Sequence, residues 1–480
     1  MPVHLSLLLA YSALMVALGG YIGRRVRGTE GFFVAGRGLG PGLLFATLLA
    51  ANIGAGSTVG AAGLGYRDGM AAWWWVGAAA IGSLVQAFWV GPRMRREASA
   101  RGLKTVGDYL EQRYTTSVRV IVATLLWFGT LAILAGQLIA MSTLLTVVAG
   151  LPKWLGCVLG GVVMTAYFTA GGLLSSAWVN LLQLAVLLVG FALAIPAALA
   201  NAGGWGAVVA SVNAGTPTAP PPGSGYWSVW EHGASGWTYL ALLGPAFIIS
   251  PGLLQKVFGA RDDRTVRLGT AANALVLLGF AFVPPVLGII TRASHPGLAS
   301  EQLALPTLLV YDVPVAVGAL GLAALFSAEV STADAILFML STSLSQDLYR
   351  RFLRPEAGDA QVLRVARWAA VAGGAAGIAL ALAAETIIGT LSFFYSVLGV
   401  CLFVPVLAGL FVRRFDAVEA LAAIAGGLVV MLALQLTVGA AGVRGITPAL
   451  AGLLTSVVVG LAMYTLHKRL RTAPPRAGGH

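Results

Sequence analysis

Ala50-Ala51-Asn52-Ile53-Gly54-Ala55-Gly56-Ser57-Thr58 and Gly244-Pro245-Ala246-Phe247-Ile248-Ile249-Ser250-Pro251-Gly252 each interrupt a long apolar run with residues that helices tolerate poorly. Glycine gains entropy on leaving a helix, and proline has no N–H to donate, so both stretches invite a break near their middle. Backbone groups freed at such a break cannot face lipid; they are buried in protein or line a cavity. The first stretch runs inward to outward. The second, five spans later, runs outward to inward. Broken helices at matching positions of two inverted halves point to the binding site of a secondary transporter. The competing reading is that the glycines only let helices pack closely. The pairing in inverted register favours transport.

Composition supports a membrane setting. The 480 residues are 58% hydrophobic and 10% charged, with a mean hydropathy of +0.86. Ordinary soluble domains carry about 25% charged residues. So large an apolar excess cannot be hidden in a water-soluble core, which excludes a soluble multidomain enzyme. The net charge of +12 would suggest nucleic acid in a soluble chain, but the cations fall in clusters between apolar runs, as membrane orientation requires. No nucleic-acid partner is expected. Cys157 and Cys401 lie in apolar stretches, so neither a disulfide framework nor a thiolate metal site is implied.

Thirteen stretches are long enough to cross a bilayer. They are 5–22, 42–65, 70–90, 120–148, 154–170, 177–200 and 237–258, then 268–290, 313–344, 368–384, 387–412, 417–438 and 448–466. With the N-terminus outside and the C-terminus cytoplasmic, 26 of the 30 Lys and Arg residues fall on the inner side, leaving Arg67, Lys153, Arg292 and Arg444 outside. Arg24, Arg25 and Arg27 follow the first stretch, the reverse of an export signal, so it reads as a retained helix. The expected location is the cell's inner membrane, multi-pass. The expected divisions are 1–40 (an extra helix and inner loop), 41–200 (first repeat), 201–236 (external loop with a short surface helix), 237–412 (second repeat), 413–470 (two further helices) and a disordered tail at 471–480. The chain contains no P-loop sequence, which argues against ATP-driven transport.

The ninth stretch carries Ser327-Ala328-Glu329-Val330-Ser331-Thr332-Ala333-Asp334. Ala328, Ser331 and Thr332, at i, i+3 and i+4, share one helical face. Hydroxyls and backbone carbonyls are hard, neutral oxygen ligands, suited to an alkali cation such as Na⁺ rather than to Zn²⁺. Ser and Thr also bond back to their own helix in membrane proteins, which is the plainer role for them. Glu329 and Asp334 are acids in an otherwise uncharged run and are costly in lipid. Both are candidates for a part in coupling; the competing reading is that one or both sit in water-filled vestibules or pair with loop arginines.

In these motifs, together with Gly171-Gly172-Leu173-Leu174-Ser175 and Asp347-Leu348-Tyr349, the chain resembles the sodium:solute symporter family, which includes sodium/glucose and sodium/proline transporters. The resemblance extends over nearly the whole chain. It implies an all-α polytopic fold with a leucine-transporter-type core of five plus five helices, one helix before the core and two after. It also implies a sodium site built from the carbonyls of Ala50, Ile53 and Ala328 and the hydroxyls of Ser331 and Thr332. Where several members carry an acid after an aromatic-threonine pair, this chain has Trp178-Val179-Asn180, so Asn180 stands in its place and a second sodium site is in doubt. Asn52 and Asn180 join Glu329 and Asp334 as possible coupling residues. Where some sugar transporters place a gating tyrosine, this chain has Gly252, which argues against sugar.

Candidate substrate contacts are Gly56, Ser57, Phe247, Ser250 and Pro251 at the breaks, with Gln137 and Phe393 on other spans. For Gln137 and Phe393, core packing is the competing role. Exposed helix ends offer N–H groups to an anionic solute, whereas no lysine or arginine is placed clearly within the central spans. The expected activity is sodium-coupled import of a small organic solute by alternating access, with Na⁺ as coupling ion and no organic cofactor. A proton-coupled symporter, or an uncoupled facilitator or channel on the same fold, remains the alternative. A polytopic membrane enzyme would need acids, histidines or metal ligands gathered at one face, and they are scattered.

Overall fold

The structure, a computed structural model, describes residues 2–23, 37–170, 173–230, 235–440, 442–443 and 445–472. The Arg24, Arg25 and Arg27 cluster, Gly171-Gly172 and the tail beyond Thr472 lie outside these residues, as does the side chain of Asn180 on its helix. The described chain is helical throughout. In order, α1 is Pro2–Gly23, α2 Pro41–Asn52, α3 Ala61–Asp68, α4 Trp73–Val85, α5 Gly91–Arg101, α6 Val106–Arg113 and α7 Thr116–Ala149. Next come α8 Lys153–Ala170, α9 Leu173–Asn201, α10 Trp205–Ala214, α11 Ser235–Ile249, α12 Pro251–Phe258, α13 Asp263–Phe280 and α14 Val283–Ser294. The last are α15 Ala304–Tyr311, α16 Val315–Thr342, α17 Asp359–Ala383, α18 Ile387–Phe411, α19 Ala417–Val438 and α20 Pro448–Thr472.

Ten helices among the described residues are long and apolar enough to cross a membrane, with Val3–Met15, Pro41–Asn52 and Lys153–Ala166 apolar but shorter. The expected count of thirteen crossings is therefore not reached by length and composition alone. Segment 201–236, expected as an external loop, carries the short helix α10.

Both marked stretches are broken. Pro41 sits in the first turn of α2, where its missing N–H is harmless, and α2 ends at Ile53, whose backbone turns extended (φ −101°, ψ 97°). A wide π-helical turn, Gly56–Gly60, then leads into α3. In the second stretch the break falls at Ser250 (φ −51°, ψ 119°), with Pro251 opening α12. Pro245 stays inside α11, so Gly244-Pro245 is not the break point. Close packing here depends on Gly82 of α4, where a Cβ would lie 2.4 Å from the Gly244 carbonyl oxygen. The eighth stretch, expected as one helix, divides at Ala281–Phe282 into α13 and α14, because Pro284 and Pro285 withhold two N–H donors.

The two broken helices pack into one body. α13 lies against α2 and α4, α11 against α4, and α16 against α7 and α9. The N-terminal end of α2 and the C-terminal end of α12 are joined by backbone hydrogen bonds, from Leu39 N to Gly259 O at 2.9 Å and from Arg261 N to Leu39 O at 3.2 Å. α14 approaches α3 so closely that a Cβ on Gly288 would sit 1.9 Å from the Ala62 carbonyl oxygen. Both sides of that contact are backbone, so neither gives way as a side chain would. Gly288→Ala is expected to destabilise the protein by about 3 kcal/mol or more. A purified Gly288→Ala variant whose thermal midpoint matches the parent protein would show that α3 and α14 do not pack this way.

Candidate functional site

The break at Ile53 places backbone oxygens against the hydroxyl face of α16. Ser331 Oγ donates toward the Ala50 carbonyl at 3.0 Å and lies 3.2 Å from the carbonyl of Ala328. Thr332 Oγ1 lies 3.2 Å from the Ala50 carbonyl and 3.1 Å from that of Ile53. The five oxygens singled out in the sequence thus converge at one buried point between α2 and α16. Gly54 is required there. A Cβ on it would fall 2.4 Å from Thr332 Oγ1 and 2.8 Å from Gln137 Oε1.

Side chains from neighbouring helices satisfy the groups freed by the breaks. Ala55 N donates to Gln137 Oε1 at 2.8 Å, and Gly54 N donates to Ser57 Oγ at 2.9 Å. Ser57 Oγ in turn reaches the Asn52 carbonyl at 3.0 Å. Asn52 Nδ2 donates to Asn273 Oδ1 of α13 at 3.0 Å. At the second break, Gln86 Nε2 donates to the carbonyls of Phe247 and Ile248 at 3.2 and 3.3 Å. Gln137, Ser57 and Gln86 thus meet backbone groups released at the breaks, which in a membrane interior would otherwise cost several kcal/mol. Gln86 and Asn273 were not singled out in the sequence, where they read as isolated amides in apolar runs.

A cavity with about 80 Å³ open to the centres of water-sized molecules lies between the two breaks. Gly56, Ser57, Gln137, Phe247 and Ser250 line it, as do Asn52 and Thr332. Pro251 lines a neighbouring cavity with Gln255 instead. Phe393 is 44% exposed and faces away, so its expected substrate contact is corrected. The next two residues of α18, Phe394 and Tyr395, form the wall in its place. Each helical residue turns the side chain by about 100°, so one position of offset exchanges lipid for cavity. Trp75 and Phe247 complete an aromatic surface, with Phe247 and Tyr395 ring centroids 5.4 Å apart.

Lys256 of α12 also lines the cavity, 2% exposed, with Nζ donating to Thr47 Oγ1 of α2 at 3.0 Å. This corrects the expectation that no lysine or arginine lies in the central spans; Lys256 had counted among the inner-face cations. The acids of α16 are both buried. Glu329 Oε1 accepts from Thr58 Oγ1 at 3.0 Å, while the same hydroxyl lies 2.8 Å from the Gly54 carbonyl. Glu329 Oε2 has no partner among the described residues. Asp334 does not line the cavity, and its charge acts on Lys256. Among the described residues no group of three or more His, Cys, Asp or Glu side chains could hold a metal ion.

A model of the sodium:solute symporter family matches residues 32–427. The chain is 27% identical to the sodium/pantothenate symporter of Escherichia coli (strain K12) over 496 positions, covering 98% of this chain and 97% of that one. It is also 27% identical over 364 positions to a protein of the same organism described as uncharacterized symporter YidK, covering 70% of this chain and 61% of that relative's length. The solved structure of a Na⁺-coupled sialic acid symporter in a substrate-bound outward-open state superposes with a TM-score of 0.79 at 17% identity, covering 96% of this chain and 98% of that one. The fold is of the leucine-transporter type, all-helical.

Proposed function

This chain belongs to the sodium:solute symporter family, and from that membership we propose that it is a multi-pass sodium-coupled symporter that imports a small organic solute by alternating access. The observation that carries the proposal is the convergence of five neutral oxygens, from Ala50, Ile53, Ala328, Ser331 and Thr332, at the break between α2 and α16. These are the donors an alkali cation takes. A bound Na⁺ would meet the hydroxyl lone pairs, so the hydroxyl protons now directed at the carbonyls would turn away. The ion would then tie the broken helix to α16 through all five oxygens. Solute would sit beside it, between Ser57, Gln137, Phe247 and Ser250, so that each ligand favours the conformation the other needs. The inner membrane, an outward N-terminus and a cytoplasmic C-terminus complete the proposal, supported by the distribution of Lys and Arg.

Thermal stabilisation of the purified protein by a panel of solutes, with Na⁺ or with choline as the cation, tests the coupling. We expect at least one solute to raise the thermal midpoint far more in Na⁺ than in choline. Equal shifts in both would point to the uncoupled or proton-coupled alternatives.

A further inference from the structure

The central cavity contains one charged side chain among its described lining residues, and that is Lys256. Its hydrogen bond to Thr47 Oγ1 occupies one of three ammonium protons. Asp334 acts on it from α16 without reaching into the cavity. A buried ammonium is costly unless its charge is answered at close range. The start of α12 opens into the same space through Ser250, Gly252 and Leu253, and Ser250 makes no side-chain cap there. Its free N–H groups and dipole add positive potential beside Lys256. The remaining polar lining is neutral, and the wall of Trp75, Phe247, Phe394 and Tyr395 is aromatic. The cavity therefore pairs a cationic inner end with an apolar body.

We propose that the transported solute is a small organic anion, a carboxylate on an apolar body, received by Lys256 and the uncapped start of α12. The proposal rests on the symporter reading above and narrows its substrate class. Matched pairs that differ only in the acid group test it: pantothenate against panthenol, benzoate against benzamide, and 4-methylpentanoate against 4-methylpentanamide. Each is scored by the concentration that half-maximally raises the thermal midpoint in Na⁺, with glucose alongside. We expect the acid of at least one pair to act at a concentration at least tenfold below its neutral partner. Lys256→Gln should erase that preference and Lys256→Arg should keep most of it, the arginine serving as control for folding.

Neutral partners or glucose acting as strongly as the acids would overturn the proposal, as would a preference that survives Lys256→Gln, or no shift from any carboxylate. The two layers separate cleanly. A Na⁺-dependent shift by neutral solutes removes the anion alone, whereas an acid preference indifferent to Na⁺ removes the sodium coupling alone.

Discussion

Replacing both hydroxyls, Ser331→Ala with Thr332→Ala, should raise the sodium concentration for half-maximal uptake at least tenfold, a loss of about 1.4 kcal/mol of binding. Each hydroxyl oxygen sits within 3.2 Å of two carbonyl oxygens of the cluster. Removing both leaves three carbonyls, too few to replace the hydration shell of the ion. The alanines also release the Ala50 and Ile53 carbonyls from their present donors, so some loss of stability is expected alongside. The separating readout is therefore the sodium dependence at saturating solute, not the amount of protein recovered. An unchanged sodium dependence in the double variant would remove these hydroxyls from the cation site.

The second large effect is expected from Gly54→Ala. The added methyl would lie 2.4 Å from Thr332 Oγ1, 2.7 Å from Thr332 Cβ and 2.8 Å from Gln137 Oε1. Neither neighbour is free to move. Thr332 is held to Ala50 and Ile53, and Gln137 carries the hydrogen bond from Ala55 N. Relief comes by pushing α2 from α16, which separates the carbonyls of the proposed sodium site from its hydroxyls. Overpacking of this kind costs about 1–3 kcal/mol of stability, which a helical membrane protein of this size can bear. The distortion falls on the proposed ion site, so uptake should drop about a hundredfold while the variant is still recovered folded. Initial uptake rates compared at equal amounts of folded protein check this, and a rate within twofold of the parent would contradict the close approach.

Much of this site is legible in the amino-acid sequence because its causes are local. Glycine and proline mark the breaks through backbone preferences that need no tertiary context, and the i, i+3, i+4 spacing puts Ser331 and Thr332 on one face whatever surrounds them. The exact place of the second break is less local. Pro245 is accommodated within α11, and only the pair Ser250-Pro251 turns the chain. Phe393 was mistaken for a cavity residue because α18 is apolar on every side, so periodicity carries no information about which face meets the cavity. Lys256 was hidden by its neighbours. With Arg261, Arg264 and Arg267 following, it reads as the first of an inner-face cluster. The signal that could have found it is distance from the break: six residues beyond Ser250 is about 9 Å of helix, well short of the membrane surface. Gln86 and Asn273 could not be found from sequence, since their importance comes from the carbonyl and amide groups that tertiary packing brings to them.

Sodium coupling is tested most directly in proteoliposomes given an imposed inward gradient of Na⁺ or of choline, using the solute with the strongest sodium-dependent thermal shift. Accumulation of solute above its external concentration with Na⁺, and none with choline, is the expected result. Uptake that reaches the same level in both cases, and never exceeds the external concentration, would contradict it.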